Sequence, residues 1–373
     1  MSYGRIDLPL LDATTRKLVK SVLVGMATVA VLQFAAGPAF AQQFAGQTVT
    51  VIVNFTAGGP TDIEARIFAR HLPKYLQGVT SVVVRNVGGG GGNIGVNQLG
   101  EASGKERLSL GFFTWNPLNQ ILREETLRVQ YSDLKIIAGM RQTTLVYIRR
   151  DTAPGISKGS DVARARPFRA GAMGLVASNT VRQRLALDLL GAKYETISGY
   201  KGLRDIDMAM LQGDIQLSNN SLPGYITSVK PNLVDKGIAM PLFQYDRADG
   251  LPGRNPDLSD VPAFFEIYRQ VHGPDSVPSG EKWEALQFLT RILDSMYRTI
   301  FMPPTAPAAA VGEMRRAFEK LALDAEFIAQ YEKVVSIKPR FVIGADGEQI
   351  IAELAGVPPS MIGFFRKYIE SGQ

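Results

Sequence analysis

Residues 49–68, VTVIVNFTAGGPTDIEARIF, contain a strand pattern, a glycine turn and a helix in immediate succession. The apolar run gives way to Gly58 and Gly59, after which apolar residues recur at helical spacing. A second unit of this kind follows about 30 residues later, where the run 82–84 leads into five glycines, 88–92. A strand that turns through glycine into a helix presents free N–H groups and the positive helix end to an anion. The two turns therefore predict a ligand with a carboxylate or phosphate group, held largely by main chain.

The N-terminal region predicts a secretory signal peptide over residues 1–41. Basic residues within 16–20 precede an apolar run over 22–34, and small residues surround Ala41. These are the three features of a signal peptide. A membrane anchor is the alternative, but the apolar stretch is shorter than the ~20 residues that span a bilayer. We therefore expect export, cleavage after Ala41, and a mature chain that begins at Gln42.

The composition is that of an ordinary globular protein, with 45% hydrophobic and 20% charged residues. There is no cysteine, which excludes disulfides and thiolate metal sites. Removing residues 1–41 takes away four basic and two acidic residues, so the formal charge falls from +6 to +4. Because basic and acidic residues alternate along the chain, nucleic-acid binding is not indicated. About 330 residues suit two lobes better than a single core.

Strand and helix patterns alternate along the mature chain, which predicts parallel βαβ units. A linker at 151–155 separates two such series. Thr61 and Glu64 fit a capping box at the start of the first helix. The patterns predict helices at 61–72, 93–102, 181–190, 203–212, 281–296 and 360–369, and strands at 82–86, 107–113, 145–149, 168–175, 194–197, 214–218 and 297–302.

Five stretches together resemble one known family: VIVNFTAGGPTDIEARIFARHL, VVVRNVGGGGGNIGVNQLGEA, SGYKGLRDIDMAMLQGDIQLS, LSDVPAFFE and PPTAPAAAVGEMRRAFEKL. They occur in the order found in the TctC-like or Bug family, the extracytoplasmic solute receptors of tripartite tricarboxylate transporters. The resemblance covers the chain from about Val49 to Arg340. It implies a type 2 periplasmic-binding-protein fold of class α/β, in which two Rossmann-like lobes are joined by a two-strand hinge. It also implies a periplasmic monomer that closes over a small organic carboxylate and delivers it to a membrane permease.

In this family, backbone N–H groups and water from turns of both lobes hold the carboxylate. The resemblance maps the first-lobe turn onto residues 56–62, and a second loop onto residues 114–116. We place Ser178, Asn179 and Thr180 at the ligand's other end, since a helix begins there as well. The predicted ligand-binding residues are Thr56, Ala57, Gly58, Gly59, Thr61, Asp62, Thr114, Trp115, Asn116, Ser178, Asn179, Thr180 and Asn219.

The resemblance also sets the expected domain boundaries. The first lobe is expected over 42–148 and 297–344, and the second over 149–296. Two additions depart from the family pattern: an insertion near 268–289 and a C-terminal extension over 345–373. They leave the identity of the carboxylate open.

An enzyme is the main alternative, because Gly90, Gly92 and Gly95 satisfy GxGxxG after a strand. The acidic residue that a dinucleotide site needs after the next strand is missing, since that strand ends in Phe112 and Phe113. The chain has two histidines and no GxSxG motif, which argues against a hydrolase triad and paired-histidine metal ligands. We therefore predict no catalytic residue, metal or cofactor. A receptor that signals to a sensor protein, instead of feeding a permease, remains open.

Overall fold

The computed structural model describes residues 42–245 and 253–371. The predicted signal peptide and its cleavage site lie outside the described residues. Within these two ranges, no helix combines the length and the apolar character needed to cross a membrane.

The described strands form two separate sheets. The first sheet has the order β11-β4-β10-β3-β1-β2, and the second has the order β7-β6-β8-β5-β9. The strands are β1 (Thr48–Val53), β2 (Ser81–Asn86), β3 (Leu110–Thr114), β4 (Lys135–Met140), β5 (Thr144–Arg149), β6 (Phe168–Gly171), β7 (Tyr194–Ile197), β8 (Leu217–Ser221), β9 (Ala239–Gln244), β10 (Arg298–Met302) and β11 (Phe341–Ile343).

Helices connect these strands and cover the sheets. They are α1 (Pro60–His71), α2 (Asn93–Gly100), α3 (Pro117–Leu122), α4 (Ser178–Leu189), α5 (Leu203–Gln212), α6 (Leu222–Gly224), α7 (Phe264–His272), α8 (Glu281–Ser295), α9 (Ala308–Leu321), α10 (Ala325–Val335), α11 (Ala345–Ala352) and α12 (Pro359–Glu370). A π-helix continues α6 over Tyr225–Val234, and short 3-10 turns lie at Leu72–Tyr75, Gly90–Gly92, Gly104–Leu108, Gly159–Arg164, Pro256–Leu258 and Glu353–Gly356.

Each sheet has a parallel part built from βαβ units, as the alternating pattern predicts. In the first, β1 runs parallel to β2 and β3, with Val53 opposite Phe112. In the second, β6 runs parallel to β7 and β8. Because parallel strands bring their carboxyl ends to one edge, the turns after β1 and β3 lie side by side, as do those after β6 and β7. We call each sheet with its helices the first and the second lobe.

The chain passes between the lobes twice. Residues 141–143 lead from β4 to β5, and residues 296–297 lead back from α8 to β10. The first crossing is bonded to the end of α8, just before the return crossing, since the Gln142 N–H donates to the Asp294 carbonyl over 3.3 Å. The boundary expected after residue 148 falls within β5, which pairs with β8 and β9 in the second sheet.

Some local details differ from the sequence expectations. α1 begins at Pro60, with Gly59 at the N-cap and no side-chain cap, so the Thr61–Glu64 capping box is wrong. Proline fits the first position of a helix, so the helix begins one residue earlier than expected, at Pro60. The strand expected at 214–218 is β8, three residues later, which puts Asn219 inside a strand.

The two additions pack into the core. In α8, Leu286, Leu289 and Leu293 are buried. In α12, Phe365 is fully buried and its ring lies 6.1 Å from that of Phe288. Both segments are thus structural parts of the lobes.

Candidate functional site

The turn between β1 and α1 is braced by a carboxylate. The Gly58 N–H donates to Asp62 Oδ2 over 2.8 Å, and Arg66 Nε donates to the same oxygen over 2.9 Å. Burial alone raises the pKa of Asp62, but the hydrogen bonds from Arg66 and Gly58 outweigh it and hold that pKa below its usual range. Asp62 therefore stays ionised and fixes the turn, with its carboxylate already occupied by protein groups.

Beside this turn, a buried polar network joins α1 to the ends of β3 and β10. Thr61 and Thr114 share a hydrogen bond of 2.8 Å between their hydroxyls, and Arg298 Nη1 donates to Thr114 Oγ1 over 2.6 Å. The same guanidinium pairs with Glu64, with 2.6 Å between Nη2 and Oε1. Glu64 Oε2 also accepts from Tyr331 Oη over 2.8 Å. The network fixes the two threonine hydroxyls in place.

A small cavity lies where this region meets the second lobe. The first lobe contributes Phe55, Thr56, Gly59, Pro60, Thr61 and Thr114, and the second contributes Met173, Gly202 and Leu203. Its volume is about 10 Å³. A water molecule needs about 10–15 Å³, so the cavity admits at most one in this conformation.

Two helix N-termini meet at the cavity. α1 begins at Pro60 and α5 begins at Leu203, and both residues line it. Each helix end carries unpaired N–H groups and a partial positive charge of roughly half an elementary charge. The combination creates a positive potential that favours an anion placed between the lobes.

The lobes approach closely beside the cavity because two glycines leave room. A Cβ on Gly202 would lie 2.5 Å from Thr56 Oγ1, and one on Gly58 would lie 2.6 Å from Arg204 Nη1. Gly58 also has a φ of +79°, which L-residues rarely adopt. Thr56 Oγ1 is buried and has no hydrogen-bond partner in the described part of the chain. It is therefore available to a ligand.

Arg204 is a second-lobe cation that contacts the turn. It is exposed, and its Nη1 donates to the Ala57 carbonyl over 3.2 Å. This bond links the second lobe to the first at the mouth of the cavity.

Of the thirteen predicted ligand-binding residues, Thr56, Gly59, Thr61 and Thr114 line the cavity. Ala57, Gly58 and Asp62 lie in the same turn and shape it through the contacts above. Trp115 points elsewhere: it is buried in the core, and its ring meets that of Tyr131 edge-on at 6.3 Å.

Most of the remaining predicted residues are hydrogen-bonded to other protein groups. The Ser178 N–H and hydroxyl donate to Asn116 Oδ1 over 2.8 and 2.6 Å. Asn179 Nδ2 donates to Tyr297 Oη over 3.0 Å. Asn219 Nδ2 donates to Gln183 Oε1 over 2.6 Å, and Thr180 is buried in the first turn of α4. None of these residues is among those that line the cavity.

The sequence analysis did not select Met173, Gly202 and Leu203. A signal for two of them was present, because the turn 198–202 sits between a strand and a helix in the second series. It is the turn that leads from β7 into α5.

The second glycine turn packs against the end of β1 within the first lobe. A Cβ on Gly92 would lie 2.7 Å from Asn54 Nδ2, and one on Gly95 would lie 2.9 Å from Asn54 Cα. These glycines therefore allow α2 to approach β1. This packing accounts for the glycine spacing without a dinucleotide-binding role. Over residues 42–245 and 253–371, no group of three or more His, Cys, Asp or Glu side chains is arranged to hold a metal ion.

Comparison with known proteins gives one curated relative and many solved structures. No protein-family profile matches the sequence. The relative is the UPF0065 protein in the TAR-I ttuE-ttuC′ intergenic region of Agrobacterium vitis, which is 26% identical over 308 residues, or 78% of this chain and 83% of the relative. Among solved structures, the periplasmic binding protein BugD has a TM-score of 0.64 at 20% identity, over 86% of this chain and 97% of its own.

The chain has the fold of the Bug and TctC periplasmic binding proteins. MatC from Rhodopseudomonas palustris, solved with bound malate, has a TM-score of 0.61 at 16% identity, over 86% of this chain and 98% of its own. A second R. palustris protein, solved with adipate, has a TM-score of 0.62 at 19% identity, over 87% and 97%. The two-lobe fold and the resemblance expected from the sequence are thus confirmed, and these structural neighbours are binding proteins.

Proposed function

We propose that the protein is a periplasmic receptor that captures a small organic carboxylate between its lobes and delivers it to a tripartite tricarboxylate-type permease. The observation that carries the proposal is the meeting of the α1 and α5 N-termini at one cavity. Helix N-termini bind carboxylates through free N–H groups and the helix dipole. The malate and adipate bound by two structural neighbours support this ligand class.

Binding requires the lobes to separate. The cavity admits at most one water, so a dicarboxylate cannot enter it in the conformation described. The lobes rotate about residues 141–143 and 296–297, and the ligand then stabilises the closed state by contacting both helix ends. The protein needs no catalytic residue, metal or cofactor for this role, and we propose that it acts as a monomer.

Thermal melting against a ligand panel tests the proposal. A ligand at about 100 times its Kd adds roughly 2.7 kcal/mol to the unfolding free energy. We expect one or a few small carboxylates to raise the Tm by several degrees, with sugars and nucleotides giving no shift. If a nucleotide raises the Tm and no carboxylate does, the proposal is contradicted and a dinucleotide site is favoured instead.

The permease partner needs a separate experiment, since a signalling receptor would bind the same ligand. Deleting the gene should abolish uptake of the radiolabelled carboxylate, and the wild-type gene should restore it. Uptake that continues in the deletion strain would favour the signalling role.

A further inference from the structure

A second cavity lies at the hinge. Its volume is about 280 Å³, which is close to the lower end of the range for small-molecule sites. The first crossing contributes Arg141, Gln142 and Thr143, and the return side contributes Asp294 and Ser295. It therefore includes the first crossing and adjoins the second at the end of α8.

The walls of this cavity come from different lobes. Arg340 precedes β11 in the first lobe, and its carbonyl accepts from the Arg141 N–H over 2.9 Å. Asn255 and Asp257 belong to the second lobe, where the Asn255 N–H donates to Gln244 Oε1 of β9 over 2.8 Å. The ion pair between Arg340 Nη2 and Asp257 Oδ2 spans the two sides at 2.5 Å. The shape of the cavity thus depends on the angle between the lobes.

The charges around the cavity leave one cation unpaired. Arg340 is neutralised by Asp257, and Asp294 is neutralised by Arg182 at 2.8 Å. Arg141 is exposed and forms no ion pair with any residue that the structure describes. A guanidinium of this kind is a suitable partner for a carboxylate.

From these contacts we propose that the hinge cavity binds a small carboxylate, held by Arg141, at a site separate from the interlobe cavity. Because its walls move with the lobes, its occupancy and lobe closure are thermodynamically linked. The site itself does not depend on the proposed transport function.

Calorimetric titration of four variants with malate tests the proposal. Arg141→Ala should weaken the hinge binding event at least tenfold, while Arg107→Ala, an exposed arginine outside the cavity, should leave it unchanged. Gly58→Val changes the interlobe cavity and should also retain the hinge event. Asp257→Asn frees Arg340 for the anion and should tighten malate binding several-fold.

The outcomes separate the two sites. Malate heat that is lost in Arg141→Ala and kept in Gly58→Val supports the hinge site, whatever the interlobe ligand is. Malate affinity that is unchanged in both Arg141→Ala and Asp257→Asn would overturn it. A failure of the interlobe proposal would instead show as a carboxylate panel in which every Tm shift disappears in Arg141→Ala, with the hinge event intact in the wild type.

Discussion

Arg204 Nη1 donates to the Ala57 carbonyl over 3.2 Å, and this bond joins the start of α5 to the turn before α1. A neutral carbonyl is a weaker partner for a guanidinium than a carboxylate. An anion at the cavity mouth can therefore take over Arg204 and hold the lobes together through it.

Arg204→Ala should accordingly weaken carboxylate binding by roughly tenfold, about 1.4 kcal/mol. Calorimetric Kd values should show Arg204→Lys in between, because lysine keeps the charge but loses the planar fork. Lys201→Ala removes a neighbouring exposed charge and serves as the control. Equal losses in Arg204→Ala and Lys201→Ala would point to general electrostatics instead.

Gly58 and Gly59 provide a matched pair. Gly58 has a φ of +79° and its added Cβ meets Arg204, whereas a Cβ on Gly59 would lie 3.5 Å from Thr56 O in ordinary contact. Gly58→Ala should cost about 1–2 kcal/mol of stability and weaken ligand binding. Gly59→Ala should change stability much less. Chemical denaturation of both variants measures this, and the reverse order would show that the turn is built differently.

Asp62 is predicted to act through the turn. Asp62→Ala removes the acceptor of the Gly58 N–H and should cost about 0.5–1.5 kcal/mol, with weaker carboxylate binding. Arg66→Ala removes only a half-exposed ion pair and should cost less than ~0.5 kcal/mol. If Arg66→Ala is as damaging as Asp62→Ala, the ion pair and not the turn hydrogen bond is what matters.

The buried Glu64–Arg298 pair should behave as a coupled unit. Arg298→Met leaves the Glu64 carboxylate buried and uncompensated, at a cost of about 3–5 kcal/mol. The double variant with Glu64→Gln should recover a large part of that loss. A double-mutant cycle in urea checks this, and simple additivity would mean that the two groups do not interact.

The buried carboxyl of Asp207 should make the free energy of unfolding depend on pH. Burial raises its pKa to about 6, although Tyr147 Oη and Ser228 Oγ both donate to it. The folded state therefore favours the protonated carboxyl of Asp207. This preference stabilises the fold fully below pH ~4, the pKa of an aspartate in the unfolded chain. The stabilisation is lost as the pH rises to about 6, the pKa in the folded state.

Asp207→Asn should remove this dependence. Between pH 4 and 6 the wild type should lose on the order of 1–3 kcal/mol relative to the variant. Urea unfolding of both proteins across that range measures the difference. Parallel curves would show that the Asp207 carboxyl titrates normally in the folded state.

The sequence predicted the fold where local signals suffice. β7 and α5 have the predicted bounds, because an alternating strand pattern and a C-terminal Gly213 mark their ends locally. β4 was not recognised, although it pairs with both β10 and β11. Its place depends on partners far along the chain, which local patterns do not encode.

The candidate site was likewise predicted only where local signals suffice. The turn after β1 was predicted from its glycines and lines the cavity. The second-lobe contribution was assigned to the start of α4, whereas the start of α5 lines the cavity, and the choice between these helix ends depends on how the lobes meet, which local patterns do not encode. Trp115 follows Thr114 at the end of a strand. Because successive side chains of a strand point to opposite faces of the sheet, the two residues lie on opposite sides. The pairing of Glu64 with Arg298 has no signal in a single sequence.

A crystal structure with the carboxylate that gives the largest melting shift tests the central claim most directly. We predict a carboxylate oxygen within hydrogen-bonding distance of N–H groups in the turn 58–62, with the other end of the ligand at Gly202 and Leu203. A ligand bound at Ser178–Thr180, or an interlobe cavity that stays empty while the carboxylate binds elsewhere, would contradict the account.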